Sequence, residues 1–479
     1  MNYKMIRYIL AQVLRIEAAS MLLSLLCSII YKETVVTNTW FISIAICVAV
    51  SFLLSYKSPK NKELYAREGF VAVALSWIIM SIFGALPFVI SGYIPRFVDA
   101  VFETASGFTT TGASILTNVE ALPKSLLFWR SFTHWIGGMG VLVFMVAILP
   151  KSGGNNFFLI KAESPGPSVS KLVPRVKHTA KLLYEIYIVL TVVEIIFLLC
   201  GGMKLFDALT LSFGTAGTGG FGIKNSSIAD YSSYSQIVIT VFMFIFGVDF
   251  SLYHMILMRK PGYLFKSDEF KGYVGIVVAA IAIISINCAP LFNSIGETIK
   301  HSAFQVVSII TTTGYATTDF NKWPELSKAV ILMIMFIGAC AGSTGGGFKV
   351  SRVIILLKSI VKEVRIAAHP KTTVKLKMNG RPIEHETVRA INVFMAAYIA
   401  IFISSFILLS INGMDFTTNF TSVLTTLGNV GPGLSQVGPT GNFSAFSDFS
   451  KIILTLNMII GRLEIFPMLV LCSYYTWKK

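Results

Sequence analysis

The sequence predicts an all-α membrane protein with many spans, on the basis of its composition, the length of its apolar stretches and a repeated pattern of short segments. Of its 479 residues, 54% are hydrophobic and only 13% are charged, whereas about a quarter of the residues in a soluble domain are charged. Stretches long enough to cross about 30 Å of hydrocarbon recur along the chain. This composition excludes a soluble globular domain.

The first two apolar stretches, at residues 8–31 and 40–56, predict an N-terminal hairpin of two spans that acts as a scaffold. The basic residues Lys4, Arg7 and Arg15 lead into apolar sequence without a small-residue cleavage site. We therefore expect the first span to remain in the mature protein. The six cysteines lie inside apolar stretches without metal-ligand spacing, so we interpret them as small core residues.

After the hairpin, one pattern occurs four times: an apolar span, a short semi-apolar segment that ends in Thr or Gly, and a second span. The first spans are residues 68–93, 180–201, 272–292 and 388–411. The short segments are residues 97–112, 204–220, 297–314 and 416–431, and the second spans are residues 125–149, 235–258, 327–358 and 450–475. Repetition at this length indicates one copied unit.

These repeats divide the chain into six parts. We assign residues 1–65 to the hairpin, 66–150 to unit one, 151–260 to unit two, 261–360 to unit three, 361–387 to a cytoplasmic linker and 388–479 to unit four. The short segments are too short to span a membrane, so they fit re-entrant half-helices whose non-helical ends line a cavity. A helix lying at the outer interface is the alternative for any single unit.

The basic residues agree with this topology. They cluster at residues 57–67, 151–181, 259–271, 349–389 and 478–479. The positive-inside rule makes these segments cytoplasmic, so both termini are expected inside. The formal charge of +16 then reflects topology and contact with anionic lipid, and we expect no nucleic acid as a partner.

The ends of the four short segments predict a cation filter. Aligned on their glycines, they read TTTG at Gly112, GTGG at Gly220, TTTG at Gly314 and GNVG at Gly431. A glycine suits a tight, non-helical tail because it has no Cβ, and backbone carbonyls in such tails can replace the hydration shell of an ion. The candidate filter residues are Thr110, Thr111, Gly112, Thr218, Gly219, Gly220, Thr312, Thr313, Gly314, Asn429, Val430 and Gly431.

The sequence resembles the Trk/Ktr/HKT superfamily of potassium transporters, and within it the bacterial TrkH branch most closely. The most specific motifs are HWIGGMG at 134–140, GACAGSTGGGFKV at 338–350, LGNVGPG at 427–433 and GRLEIF at 461–466. The resemblance implies four covalently linked helix–pore-loop–helix units around a central potassium pathway in the bacterial inner membrane. In the plant-type branch a Ser at the first filter position accompanies sodium transport, so four glycines point to potassium as the ion bound by the filter carbonyls.

The second span of unit three carries a candidate gate. Three consecutive glycines, Gly345, Gly346 and Gly347, cost about 1 kcal/mol each in a helix, so we expect this span to break. Close packing through small residues is the alternative. In the resembled family this motif is an intramembrane gating loop, which here includes Gly342, Ser343 and Thr344.

Arg462 lies inside an apolar stretch, where an ionisable residue is expensive and usually functional. Glu464 is two residues away, so on a helix it is a poor partner for Arg462. The resemblance implies that Arg462 projects into the pore and contacts the gate, and a structural ion pair is the alternative. Glu103 and Asp207, in the first two short segments, either support their helices or attract cations.

The longest polar stretch, residues 358–389, contains the dipeptide Asn379-Gly380, which is a strong hairpin signal. A basic hairpin on the cytoplasmic face is a natural docking element, although a merely solvated face is the alternative. The resemblance implies a partner, a nucleotide-binding regulatory ring of the TrkA type, and a homodimer of this subunit.

We predict a potassium-conducting subunit for potassium uptake, either channel-like or an ion-coupled symporter, which carries no organic cofactor. The alternative is a secondary transporter of a small solute, which also uses broken helices at the membrane midplane. The chain contains no HExxH, GxSxG or GxxxxGKS motif, so the sequence does not favour an enzyme.

Overall fold

A computed structural model describes residues 1–56, 64–140 and 176–478. The regular secondary structure of the described residues is helical apart from a two-stranded hairpin. Helices α1 (Tyr3–Ile30) and α2 (Thr34–Ser55) form the N-terminal pair that the sequence predicts. They pack against each other, and both pack against helices of unit one.

Units one and two each contain a short helix between longer ones. Unit one comprises α3 (Ala66–Gly84), α4 (Leu86–Ile90), α5 (Phe97–Phe108) and α6 (Lys124–Gly138). Unit two comprises α7 (Val176–Cys200), α8 (Leu205–Ala216), α9 (Ser233–Phe246) and α10 (Phe250–Leu257), and α11 (Gly262–Lys266) follows it.

Units three and four follow the same plan. Unit three comprises α12 (Asp268–Cys288), α13 (Ile295–Ile310), α14 (Glu325–Phe336) and α15 (Val350–Ala368). Strands β1 (Lys377–Met378) and β2 (Arg381–Pro382) form the antiparallel hairpin predicted at Asn379-Gly380. Unit four comprises α16 (His385–Ser410), α17 (Phe416–Leu427), α18 (Asp448–Arg462), α19 (Phe466–Cys472) and α20 (Tyr474–Trp477).

The short helices α5, α8, α13 and α17 bind the units into a closed ring. Each packs against the helices of its own unit and also against the second span of the unit before it: α8 on α6, α13 on α9 and α17 on α14. The ring closes because α5 of unit one packs on α18 of unit four. The ends of all four short helices therefore meet near one axis.

Six helices within the described ranges are long and apolar enough to cross a membrane, and a seventh span results if α9 and α10 count as one. The expectation that all cysteines are core residues is wrong for two of them. Cys200 and Cys472 are exposed on the protein surface, because these helices turn an apolar face outward and a cysteine is small and apolar enough for such a face.

Several predicted spans are not single helices. Residues 68–93 divide into α3 and α4 at Ala85, just before Pro87, which lacks the N–H that a helix interior requires. Residues 235–258 bend by 91° between α9 and α10, where Asp249 caps the new helix by accepting from Ser251 N. Residues 450–475 break between α18 and α19. In unit one, residues 141–149 of the predicted second span lie outside the described ranges.

Candidate ion pathway

A four-residue segment follows each short helix, and we call these segments the tails. They are residues 109–112, 217–220, 311–314 and 428–431. In every tail the second residue has a positive φ of 52–59° and the fourth, a glycine, has a positive φ of 76–96°. Three different sequences, TTTG, GTGG and GNVG, thus adopt one backbone conformation, and at the fourth position glycine takes the left-handed values without steric cost.

The amide of the third tail residue bonds back to its own short helix in all units. The acceptor is the carbonyl five residues earlier, at 2.8–2.9 Å: Ser106 for Thr111, Gly214 for Gly219, Ser308 for Thr313 and Thr425 for Val430. Among the described residues, no N–H or O–H group donates to the carbonyl oxygens of the second, third or fourth tail residues. The tail carbonyls are therefore available to a ligand.

The tails meet around a ring in which each unit faces the next. A Cβ added to the fourth residue would collide with the carbonyl oxygen of a third residue in the following unit: Gly112 with Gly219, Gly220 with Thr313, Gly314 with Val430 and Gly431 with Thr111. The last contact returns from unit four to unit one, so the ring is closed. All twelve candidate filter residues predicted from the sequence lie in this ring.

The predicted break in the second span of unit three is confirmed. A loop, residues 337–349, separates α14 from α15, and a backbone bridge between Ile337 and Phe348 holds its ends together. We call it the glycine loop. Its tip lies against the tails: Gly346 N donates to Thr312 Oγ1 at 2.7 Å, and a Cβ on Gly346 would lie 2.8 Å from that of Asn429.

Arg462 ties the glycine loop to unit one. Its guanidinium donates to the carbonyl of Thr344 at 2.8 Å and to the carbonyls of Gly137 and Gly138 at 2.5 and 2.8 Å. Backbone carbonyls of two units thus accept from one half-buried guanidinium, which compensates for the partial loss of its hydration. Arg462 therefore contacts the loop that contains the candidate gate residues.

Glu464 pairs with Arg352 at the start of α15 and not with Arg462. The Arg352 guanidinium also stacks over the Phe394 ring, 4.2 Å from its centroid. Glu464 and Ile465 have positive φ values of 51° and 70°, which are unusual for residues with a Cβ. The break between α18 and α19 therefore coincides with an ion pair to unit three.

Two neighbouring acidic residues at the start of α12 link the glycine loop to the β1–β2 hairpin. Glu269 Oε1 accepts from Ala341 N in the loop at 2.7 Å and from Ser351 N in α15 at 3.0 Å. Asp268 exchanges hydrogen bonds with Asn379, whose side chain accepts from Asp268 N at 2.7 Å and whose N–H donates to Asp268 Oδ2 at 3.1 Å. Composition alone does not reveal this link.

The acidic residues of the short segments support their helices. Glu103 on α5 is buried and pairs with Arg130 of α6 at 2.6 Å, and it also accepts from Ile115 N. Asp207 on α8 accepts from the Tyr231 hydroxyl at 3.1 Å. Arg130 reaches unit two as well, because it donates to Gly222 O at 2.8 Å.

A ring of four helix–tail–helix units with unbonded carbonyls at its centre is typical of one class of protein, the membrane proteins that pass small cations. The chain belongs to the TrkH family of cation transport proteins, whose pattern matches residues 36–280 and 274–476.

Two relatives and a solved structure match 91% or more of the chain. The chain is 36% identical to the Trk system potassium uptake protein TrkH of Escherichia coli K12, over 100% of both chains. It is 32% identical to the Trk system potassium uptake protein TrkI of Halomonas elongata, over 91% of this chain and 90% of that one. The crystal structure of the potassium transporter TrkH from Vibrio parahaemolyticus covers 100% of both chains at 32% identity, with a TM-score of 0.90.

Proposed function

We propose that this chain is the potassium-conducting transmembrane subunit of a potassium-uptake system. The closed ring of tails carries the proposal, because it gathers unbonded backbone carbonyls from all four units. Carbonyl rings of this kind replace the hydration shell of a cation. The short helices also end at the ring, and the carbonyl ends of helices carry partial negative charge.

Potassium is the proposed ion on two grounds. The fourth tail residue is glycine in every unit, which is the pattern of the potassium-transporting branch. The relatives that match 91% or more of the chain are named as potassium uptake proteins. The twelve tail residues of the ring are the proposed filter, and potassium bound to their carbonyls is the transported ion.

The glycine loop is the proposed gate, formed by Gly342, Ser343, Thr344, Gly345, Gly346 and Gly347 together with Arg462. Its tip contacts Thr312 and Asn429 in the ring, so an ion leaving the tails meets the loop. The contact between Arg462 and Thr344 O holds the loop in this position. Movement of the loop away from the ring opens the pathway.

The alternative, a secondary transporter of a small solute, is less consistent with the arrangement. Such folds place their broken helices in inverted repeats. Here four units in the same sense contribute equivalent tails with one backbone conformation. An enzyme is not favoured either, because the relatives are transporters.

Control of the gate by a cytoplasmic partner is the second part of the proposal. The hairpin is the proposed docking element for a nucleotide-binding ring of the TrkA type. Lys358 of α15 donates to Asp268 at 2.8 Å and to Lys377 O in the hairpin at 2.9 Å. Displacement of the hairpin therefore acts on α15, which begins where the glycine loop ends. In this proposal the subunit is a homodimer in the bacterial inner membrane, with lipid around it and both termini cytoplasmic.

Cation flux into liposomes that contain the purified chain tests the conducting role. Potassium, rubidium and sodium gradients are imposed in turn, and uptake is compared with protein-free liposomes. We expect potassium and rubidium to enter faster than sodium. Equal rates for the three cations, or uptake no faster than in protein-free liposomes under every condition including the presence of the partner, would contradict the proposal.

Deleting residues 374–382 tests the docking role. We expect the variant to lose binding to a TrkA-type ring and the nucleotide response of its flux. The potassium-to-sodium flux ratio without the partner is the internal control and should stay unchanged. Full binding and a full nucleotide response after the deletion would refute this part of the proposal.

A further inference from the structure

The tail of unit two lacks side chains that the other tails possess. In units one and three the first and third tail residues are threonines whose hydroxyls bond to each other, Thr109 to Thr111 at 2.7 Å and Thr311 to Thr313 at 2.8 Å. The first threonine of each pair also donates to a carbonyl of its own short helix, Ala105 O for Thr109 and Val307 O for Thr311, both at 2.6 Å. Each pair therefore fills the space between the tail and its short helix. In unit two the corresponding positions are Gly217 and Gly219.

Unit four fills this space with its own side chain in another way. Its first tail residue is Gly428, and the third is Val430, which is fully buried. A methyl carbon of Val430 lies 3.3 Å from the place where a Cβ on Gly428 would sit. Three of the four tails therefore carry a third residue with a side chain, and unit two is the exception.

The imidazole of His134, from α6 of unit one, occupies the empty place in unit two. A Cβ built on Gly219 would collide with Nδ1, Cγ and Cε1 of this ring, and a Cβ on Gly217 would collide with the His134 carbonyl oxygen. Gly219 does not have a positive φ. The glycine is therefore required by the neighbouring ring and not by its own backbone conformation.

Other contacts hold the imidazole where it is. It stacks on Phe221, which follows the tail, with 4.2 Å between ring centroids and 21° between ring planes. One turn earlier on α6, Arg130 is anchored to Glu103 and lies over the same aromatic ring, 3.6 Å from its centroid. His134 is fully buried, and neither ring nitrogen has a hydrogen-bond partner among the described residues. The ring thus acts by its shape and position.

We propose that His134 is a positioning residue for ion selectivity. Its imidazole supports the tail of unit two, as the side chain of the third tail residue supports each of the other tails. The proposal rests on the function proposed above, because the group that the imidazole positions is the Gly219 carbonyl of the proposed filter. That carbonyl faces Gly112 in the ring, so a shift in unit two also changes the contact with unit one.

A double-mutant cycle of His134 and Gly219 tests whether the imidazole replaces the missing side chain, with the potassium-to-sodium flux ratio in liposomes as the readout. We expect His134→Ala to lower the ratio by about tenfold, because the tail loses its support, and Gly219→Thr to lower it at least as much, because the new side chain meets the ring. The combined variant places on unit two the threonine that units one and three carry. It should recover the ratio to within about threefold of the unchanged chain, which is the non-additivity expected for residues in contact.

Thr313→Gly is the matched control, because it removes the equivalent backing from unit three, where no imidazole replaces it. We expect a loss similar to that of His134→Ala, and no recovery when it is combined with Gly219→Thr. Size-exclusion chromatography checks the folding of each variant.

The outcomes separate this inference from the proposed function. An unchanged chain without potassium preference would overturn the proposed function. If the unsubstituted chain does prefer potassium, two results would overturn the inference alone. One is that folded His134→Ala keeps the potassium-to-sodium flux ratio, and the other is that the combined variant recovers none of the lost ratio. Where His134→Ala alone does not fold, the combined variant decides: a folded, selective protein supports the inference, and an unfolded or unselective one contradicts it.

Discussion

The four tails share one backbone conformation, whereas the breaks in the second spans beside them differ from unit to unit. Unit two turns by 91° over a few residues, unit four breaks at two residues with positive φ, and unit three inserts the glycine loop of residues 337–349. The ring is thus nearly symmetric and the layer beside it is not.

In the proposed function, this difference separates two tasks. Coordinating a cation from all sides requires equivalent carbonyls from each unit. Blocking one narrow passage requires a single obstruction, and one unit is enough to provide it. We therefore expect changes in the ring to alter selectivity, and changes in the asymmetric layer to alter rate while the selectivity ratio stays constant.

Removing residues 343–346 should have the largest effect on rate. The shortened loop can no longer reach Thr312 and Asn429, so we expect potassium flux without any partner to rise by up to about a hundredfold, as for a shift from about 1% open to mostly open. Rubidium uptake into liposomes measures this change. The potassium-to-sodium ratio is the internal control. Unchanged flux in a folded variant would contradict the gating role of the loop.

Arg462→Ala should have an intermediate effect. The substitution removes the donor of three hydrogen bonds to backbone carbonyls. Of these three, the bond to Thr344 O is the one that reaches the glycine loop, and a charged hydrogen bond contributes about 1.5–3 kcal/mol. We expect a rise in flux of about tenfold, measured by the same uptake assay. Arg365→Ala, at an exposed position of α15, is the control and should not change the flux. An unchanged rate and ratio for folded Arg462→Ala would exclude both a pore role and a gating role.

Glu269→Gln should have the smallest effect. Glutamine keeps an acceptor for Ala341 N and Ser351 N but loses the negative charge, which weakens these bonds by about 1 kcal/mol. We expect the flux without a partner to rise by about two- to fivefold, and Glu363→Gln, on the exposed surface of α15, to leave it unchanged. If the two substitutions behave alike, Glu269 does not restrain the loop.

The sequence predicts the parts of the molecule that local chemistry determines. The glycines of the tails, the three consecutive glycines of unit three and the Asn379-Gly380 turn each mark a backbone conformation, and each occurs as predicted. The breaks in units two and four escape this reasoning because they carry one glycine or none. The break at Glu464 depends on Arg352 of another unit, which sequence spacing cannot reveal.

The same limit explains the residues that sequence reasoning missed at the candidate site. His134 lies in the HWIGGMG motif, but its contact with Gly219 joins units one and two, so the motif alone does not indicate this contact. Arg130 likewise connects Glu103 of its own unit with the loop after the tail of unit two. The available signal in the sequence is Gly219, because it is a glycine at a third tail position and the other units have a side chain there.

The central claim is that the ring of tails selects potassium, and Gly314→Ser tests it most directly. A Cβ at Gly314 would lie 2.5 Å from Val430 O and 2.9 Å from Cδ of Pro432, so the carbonyl of the next unit must move. Gly413→Ser is the matched control, because Gly413 also has a positive φ, 73° against 83°, yet a Cβ there would contact nothing within 4 Å. We predict that Gly314→Ser loses most of the potassium-to-sodium flux ratio while folded Gly413→Ser retains it. An equal ratio in both variants, matching the unchanged chain, would contradict the claim.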